Sequence, residues 1–343
     1  MTADAASPEE STLDGELARA AKSIVGLDRD AVVLLVCHVN PDGDALGSML
    51  GFGLGLRRLG FTQVFATFPE PFELADAFGF LPGQELLVHP AAAPDHPDLA
   101  ISFDAASVGR LGELAPALAA APNWIMMDHH ASNPGFGGIH LIDAYAAATA
   151  VVAARLLDRL GVVFDRDIAT NLYVALATDT GSFKFDLTTS EVHQLAARLV
   201  QAGVQPAEVA RRVFDSRPFA AIQLLAVVLH RAELDPAAAG GKGLIISYAT
   251  LADLDLFAGQ PGQVLESFIE ILRTAEEADV ACLVKPVAEG RWSVSLRSRG
   301  GTDVSAVAVA LGGGGHRLAA GFTGHGKVTE VVAAIRAELD PPG

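Results

Sequence analysis

Between residue 31 and about residue 185, short apolar runs alternate with longer stretches of helical spacing. The runs Ala31 to Cys37, Gln63 to Phe68, Leu99 to Phe103 and Trp124 to Met127 are rich in branched and large side chains. That is the composition of strands buried on both faces of a parallel sheet. Helices are expected at Ala45 to Leu59, stopped by Gly60, at about Ala147 to Leu160, and at Asp167 to Thr178. Strands and helices in alternation predict an α/β fold built on a doubly wound sheet.

From Thr188 onward the pattern becomes helical. Thr188-Thr189-Ser190-Glu191 fits a capping box, and amphipathic runs continue through Pro206 to Val213 and Phe219 to Leu234. Residues 188–240 therefore read as a helical connector ending in the flexible stretch Asp235 to Gly241. A smaller α/β unit follows over 241–343. Its expected elements are a strand Leu244 to Tyr248, a helix Gln263 to Ala275, and a hairpin of Val280 to Val287 and Trp292 to Arg297 turning at Glu289-Gly290. After these come a helix near Val304 to Leu311, the run Gly312 to His316, and a last helix from about Val328 to Leu339. A length of 343 residues suits two cores better than one, so the chain is expected to form two domains, 1–187 and 241–343, with a cleft between them.

Composition narrows the setting. The apolar residues come in interrupted runs shorter than the ~20 that a transmembrane helix needs. Met1 to Ser11 is acidic and polar, without the basic start and apolar run of a signal peptide. Residues 1–20 read as a disordered lead-in, and the protein is expected in the cytoplasm. Cys37 and Cys282 fall in apolar runs of different domains, as core thiols rather than a disulfide or a thiolate metal site. A net charge of -17 disfavours non-specific binding to long nucleic acid but leaves short phosphorylated ligands open. Residues 281–320 reverse the sign locally, with five cations against two anions.

The chemistry gathers where strands should end, at the edge where open α/β sheets place their ligands. His38-Val39-Asn40-Pro41-Asp42-Gly43-Asp44 follows the first apolar run, Asp104 follows the third, and Asp128-His129-His130 follows the fourth. Asp179 stands at the end of a predicted helix. Taken singly these are ordinary: Asn-Pro-Asp-Gly is a good turn, and Asp42 and Asp104 are good caps. Taken together, Asp42, Asp44, Asp104 and Asp179 with His38 and His129 put four carboxylates and two imidazoles in one crevice. So many like charges repel unless a cation is bound. The mixed oxygen and nitrogen donors suit Mn²⁺ better than Zn²⁺ or Mg²⁺. Two ions ~3.5 to 4 Å apart sharing one carboxylate and a bridging hydroxide would support in-line attack on phosphorus. One glycine makes a helix cap, whereas four followed by His316 and Arg317 predict a loop whose N–H groups approach an anion. Arg297 suits a terminal phosphate, and Arg110 is either a second phosphate ligand or a surface arginine.

The His38 to Asp44 segment and Asp128-His129-His130 resemble the signature motifs of the DHH phosphoesterase family, which includes RecJ nucleases, family II inorganic pyrophosphatases, exopolyphosphatases and NrnA-type oligoribonucleases. Asp104 and Asp179 fall where that family places its other two motifs. Gly312 to His316, with Arg297 before it, resembles the Gly-Gly-Gly-His segment of the DHH-associated substrate domain of the NrnA and RecJ branch. The resemblance implies that His38, Asp42 and Asp104 hold one ion and that Asp44, Asp104, His129 and Asp179 hold the other, Asp104 being the bridge. It gives His130 the scissile phosphate and Asp128 the task of orienting this pair, and it gives Arg297, Gly313, Gly314, Gly315 and His316 the substrate.

The implied activity is that of a two-Mn²⁺ phosphoesterase of the NrnA-like branch, combining oligoribonuclease and 3′-phosphoadenosine 5′-phosphate phosphatase functions. Its expected substrates are oligoribonucleotides of a few residues, the linear dinucleotide pApA, cyclic di-AMP and 3′-phosphoadenosine 5′-phosphate. A RecJ-like exonuclease on single-stranded DNA is the nearer alternative, against which stands the lack of an aromatic-rich basic groove. A nucleotide sensor without turnover is the more distant one. The apolar helices after Ala147 suit a homodimer.

Overall fold

The apolar runs of the first half become a fully parallel sheet. Its strands are β1 (Val32–Cys37), β2 (Gln63–Thr67), β3 (Leu99–Phe103), β4 (Trp124–Asp128) and β5 (Ile139–Ile142), in the order β2-β1-β3-β4-β5. All of β3 is buried, which is why its sequence is apolar throughout rather than alternating. The strand β5 is an addition to the expected set: it has four residues, of which His140 is exposed, too few to show a pattern. Cys37 is level with Phe103, and Phe103 with Met127, so the residues that follow β1, β3 and β4 emerge at one edge. Strand order reverses between β1 and β3, the point at which such sheets bind ligands.

The computed structural model describes residues 8–256 and 265–340. The expected lead-in over 1–20 is corrected by a helix, α1 (Pro8–Val25), that buries Leu17, Ala20 and Ile24. Three apolar positions at helical spacing suffice to dock it, although charged neighbours mask them; residues 1–7 lie outside the described residues. Next come α2 (Gly43–Arg58), α3 (Ala115–Ala120), α4 (Thr149–Arg159) and α5 (Arg166–Asp179). On α2 a glycine recurs every fourth residue and so lies on one face. Cβ atoms there would stand 2.5 Å from Thr178 at Gly43, 2.4 Å from the Asn171 carbonyl oxygen at Gly47, 3.1 Å from Asn171 at Gly51, and 2.4 Å from Leu157 at Gly55. The missing side chains let α2 press against α5 and α4.

The stretch expected as a connector is shared out. Two compact units divide between Ser216 and Arg217. Helices α6 (Ser190–Gln201) and α7 (Pro206–Val213) join the first core through Val192, Leu199 and Val209. The expected capping box is not formed: Thr189 precedes α6 without a side-chain cap, and Glu191 is drawn to Arg155 at 2.7 Å.

The second unit begins with α8 (Phe219–His230). Its mixed sheet runs β10 (Gly314–His316), β11 (Ala319–His325), β9 (Arg291–Ser298), β8 (Val280–Ala288), β7 (Leu244–Tyr248), β6 (Glu233–Asp235), with only the β7–β8 pair parallel. Its other helices of five residues or more, among the described residues, are α9 (Leu251–Leu256), α10 (Phe268–Leu272), α11 (Val304–Ala310) and α12 (Val328–Leu339). The helix expected from Gln263 starts outside the described residues, and its described part is the shorter α10. One sheet face packs Cys282, Val284, Leu296 and Phe322 with Val307 of α11 and Ile335 of α12. The other gathers Ala281 and Leu283 with Leu224 of α8 and Phe268 of α10. The stretch Asp235 to Gly241 is held inside this unit, where the Asp340 carboxylate accepts the N–H groups of Ala239 (2.8 Å) and Gly240 (2.6 Å). Cys37 and Cys282 are buried free thiols, one in each unit. No helix among the described residues is long and apolar enough to cross a membrane.

Candidate metal centre

At the end of β1 the chain turns sharply through Asn40, whose φ of 51° is left-handed, and Asp42 then caps α2 by accepting the Ala45 N–H at 3.0 Å. Asp104, one residue past β3, has a φ of 55°. Side chains other than glycine hold that conformation only where the surroundings fix it. The result is a buried carboxylate between two imidazoles: Asp104 Oδ2 lies 3.5 Å from His38 Nε2, and Oδ1 lies 3.5 Å from His129 Nε2. Asp42 approaches His38 Nε2 at 3.8 Å, while Asp179 and Asp44 approach His129 Nε2 at 3.1 and 3.9 Å. His130 Nδ1 is 3.6 Å from Asp104 Oδ1. Three overlapping groups have their ligand atoms within 4.8 Å of one another: His38, Asp42 and Asp104; Asp44, His129 and Asp179; and Asp104, His129 and His130.

Charge in this cluster is strongly perturbed. Burial alone would lower the His38 imidazole, but Asp104 and Asp42 push it up to about 10. Burial likewise opposes His129, and Asp179, Asp44 and Asp104 raise it to about 10. Asp179 is raised to about 6 by burial together with Asp42 and Asp104, against the pull of His129. Burial pushes the Asp44 carboxyl up, reinforced by Asp104 and Asp179. The carboxylates thus demand positive charge in the space between them. Protonated imidazoles meet that demand, and a divalent cation on the same donors would meet it better.

Several supporting residues are not visible as motifs. Asp44 is fully buried and accepts from Ser48 Oγ (2.8 Å) and from the first two amides of α4, Thr149 N (2.6 Å) and Ala150 N (3.1 Å). A carboxylate at a helix N-terminus satisfies open donors and gains from the helix dipole. The Thr149 hydroxyl donates to Asp104 Oδ1 at 3.0 Å, so one residue steadies two acids. Asp128 is outside the three groups. Its Oδ1 accepts from the His129 N–H (2.8 Å), the His130 N–H (3.2 Å) and His130 Nδ1 (2.7 Å), while Asn133 donates to Oδ2. Against burial, His130 and Asn133 hold its carboxyl below the usual range. Arg110 lies on the far edge of the His38 ring, Nη2 to Nδ1 2.8 Å, and its carbonyl accepts the Val39 N–H.

The other predicted residues are in the second unit. Arg297 sits opposite Ala319, and Ala319 opposite His316, on neighbouring strands. Arg297 Nε donates to Glu270 at 3.0 Å. The run expected as an anion-binding loop is corrected in part: Gly314 to His316 form β10. A Cβ at Gly313 would lie 2.2 Å from the Gly321 carbonyl oxygen and one at Gly315 2.5 Å from Ala320. Close strand approach accounts for those two glycines, whereas Gly314 has open space on its Cβ side.

The comparisons agree with this geometry. The family model described as DHH family, N-terminal domain, matches residues 32–176, and the DHHA1 domain matches 242–340. The chain is 34% identical over 316 residues to a Thermus thermophilus protein named bifunctional oligoribonuclease and PAP phosphatase NrnA, with 91% of each chain covered. It is 25% identical to a Streptococcus mutans protein named as the probable counterpart, covering 84% of this chain and 88% of that one. An exopolyphosphatase-related protein from Bacteroides fragilis shares the fold, with a TM-score of 0.87 at 23% identity over 99% of this chain and 98% of that one. The chain belongs to the DHH family of phosphoesterases, with a DHHA1 domain following the DHH domain.

Proposed function

We propose that this phosphoesterase hydrolyses short oligoribonucleotides and dinucleotides, pApA and cyclic di-AMP among them, and acts on 3′-phosphoadenosine 5′-phosphate as a phosphomonoester. The observation that carries the reading is Asp104, which turns one oxygen to His38 and the other to His129. Such a carboxylate is placed to serve two ions. His38, Asp42 and Asp104 would hold one and Asp44, Asp104, His129 and Asp179 the other, with Mn²⁺ best matched to these donors. A bound pair polarises the phosphoryl oxygens and lowers the pKa of an attacking water.

The chain's own groups orient the substrate. Asp128 fixes the His130 ring through Nδ1, which directs Nε2 toward a non-bridging phosphate oxygen as a hydrogen-bond donor. Arg110, whose guanidinium lies beside His38, offers positive charge to a phosphate of the substrate. Arg297, Gly313, Gly314, Gly315 and His316 grip the nucleotide from the second unit. The names of the Thermus and Streptococcus relatives support the substrate class. The acidic net charge supports a short ligand over a long polyanion, and the setting proposed for the enzyme is the cytoplasm.

The test is hydrolysis of 5′-labelled pApA, a short RNA series and 3′-phosphoadenosine 5′-phosphate with Mn²⁺, Mg²⁺ or EDTA, beside a His129→Ala, His130→Ala double variant. Mn²⁺-dependent turnover that vanishes in the variant is expected. Tight nucleotide binding without turnover under any metal would overturn the reading in favour of a sensor.

A further inference from the structure

Residues 143–150 lead from β5 into α4 and meet one half of the metal centre. The Ala146 carbonyl faces His129 Nδ1 at 3.2 Å, the Thr149 hydroxyl reaches Asp104, and the Thr149 and Ala150 amides reach Asp44. Among the described residues none of these groups bonds to His38 or Asp42, which meet Arg110 and the Ala45 N–H instead. A histidine that ligates through Nε2 keeps its proton on Nδ1, and the acceptor of that proton sets the aim of the ring. The Ala146 carbonyl is that acceptor, so whatever fixes Ala146 fixes His129.

Asp143 is tied into this turn by every polar group it has. Its N–H donates to the Asp128 carbonyl at 3.1 Å, its carbonyl accepts the Ala146 N–H at 3.0 Å, and its Oδ1 accepts the Tyr145 N–H at 3.0 Å. An aspartate that bonds the backbone two residues on specifies such a turn. The other oxygen, Oδ2, receives Arg155 Nη1 from α4 at 2.6 Å, and Arg155 Nη2 donates to Glu191 of α6 at 2.7 Å. The two pairs are not equal. The Asp143 side chain is 13% exposed and that of Glu191 is 59% exposed. The outer pair is screened by water and contributes little. A carboxylate as buried as Asp143 cannot stay uncompensated without its cation. It would turn toward water, withdraw Oδ1 from the Tyr145 N–H and open the turn that holds Ala146.

We propose that Arg155 and Asp143 are positioning residues for one of the two ions. Through the Ala146 carbonyl they aim His129, and so they tighten the ion assigned to Asp44, Asp104, His129 and Asp179 while leaving the ion of His38, Asp42 and Asp104 unaffected. The assignment rests on the two-ion reading above.

The test is Mn²⁺ titration of the metal-stripped full chain, with free ion counted by electron paramagnetic resonance. The unmodified protein is compared with Arg155→Met, Asp143→Asn, the two combined, and Glu191→Gln, and thermal melts confirm that each folds. Arg155→Met should bind one of two ions about tenfold more weakly and the other unchanged. Glu191→Gln, which loses only the outer pair, should match the unmodified protein. Adding Asp143→Asn to Arg155→Met should recover the lost affinity, since asparagine keeps an oxygen for the Tyr145 N–H and leaves no charge stranded. In a His129→Ala background, Arg155→Met should leave the remaining ion unchanged. Both ions weakened alike, neither weakened, or no rescue by Asp143→Asn overturns the proposal. Failure of the two-ion reading is a separate result: the unmodified protein then binds a single ion, and the positioning role stands only if Arg155→Met weakens that ion and Asp143→Asn restores it.

Discussion

Gly47→Ala tests whether the close approach of α2 and α5 builds the metal centre. The new Cβ would stand 2.4 Å from the Asn171 carbonyl oxygen and 3.0 Å from Ala175 Cβ, and ordinary contact begins at 3.4 Å. The obstacle is backbone, which cannot rotate aside, so the helices must part by about 1 Å. Asp44 lies one turn before Gly47 on α2, and Asp179 is the last residue of α5. A shift of that size between them exceeds the ~0.5 Å within which a site must be held. Overpacking costs ~1–3 kcal/mol, and replacing a helical glycine by alanine returns ~0.5–1 kcal/mol. A net loss of ~1–2 kcal/mol is expected in urea unfolding followed by Trp124 fluorescence, together with weaker divalent-cation binding and lower turnover. Gly15→Ala is the control. Its Cβ would meet nothing within 4 Å, so it should gain ~0.5–1 kcal/mol and leave the site alone. Should Gly47→Ala prove as stable as Gly15→Ala with unchanged metal affinity, the glycine face does not set the site.

Three other substitutions separate the roles assigned above. His130→Ala should lower turnover ~10²–10³-fold while metal content, measured by mass spectrometry, stays near normal; loss of the metals would refute a phosphate-facing role. Thr149→Val keeps the amide that binds Asp44 but removes the hydroxyl bond to Asp104, so calorimetry should show metal affinity falling by ~10-fold, and an unchanged affinity would contradict that support. Arg231 grips Asp253 with both terminal nitrogens, aided by Thr250, and pulls its carboxyl down to about 2. A depressed carboxyl stabilises the fold above its unfolded pKa of ~3.8 and ceases to do so as pH falls through about 2. Asp253→Asn should therefore cost ~2 kcal/mol at pH 7, with the gap narrowing below about pH 4; a gap independent of pH would count against the ion pair.

The strand ends carrying His38, Asp104 and Asp128 were legible because buried parallel strands spell unbroken apolar runs, and acids placed directly after them have only the sheet edge to occupy. Other parts were hidden for identifiable reasons. Thr149 meets Asp44 and Asp104 from far along the chain, through packing that periodicity does not encode. Glu270 was invisible as the partner of Arg297, since hydrophobic spacing tells which helix face is buried and not which charge lies across it. The glycine face of α2 is different: Gly43, Gly47, Gly51 and Gly55 stand every fourth residue in plain sight. The interval of four implies a seam on one side of the helix, which apolar spacing alone does not show. β10 was mistaken for a loop because glycine permits a close strand contact and a phosphate-binding turn equally well.

The way the acids are anchored leads to a last expectation, that the fold survives loss of its metal. Asp42 is tied to the Ala45 N–H, Asp44 to Ser48 and the start of α4, and Asp104 to Thr149, so protein donors rather than an ion fix their positions. Without a cation, the raised pKa values of His38 and His129 let protons supply the missing positive charge at neutral pH. This differs from small domains in which metal ligation is the main source of folding energy. The first unit buries an extensive apolar core independently of the site. Metal stripping should therefore leave the far-ultraviolet dichroism intact and the melt cooperative, with Tm lowered only by the binding energy lost. A broad, non-cooperative melt after EDTA treatment, reversed by Mn²⁺, would show instead that the ions hold the edge of the sheet together and that the donor network alone is insufficient.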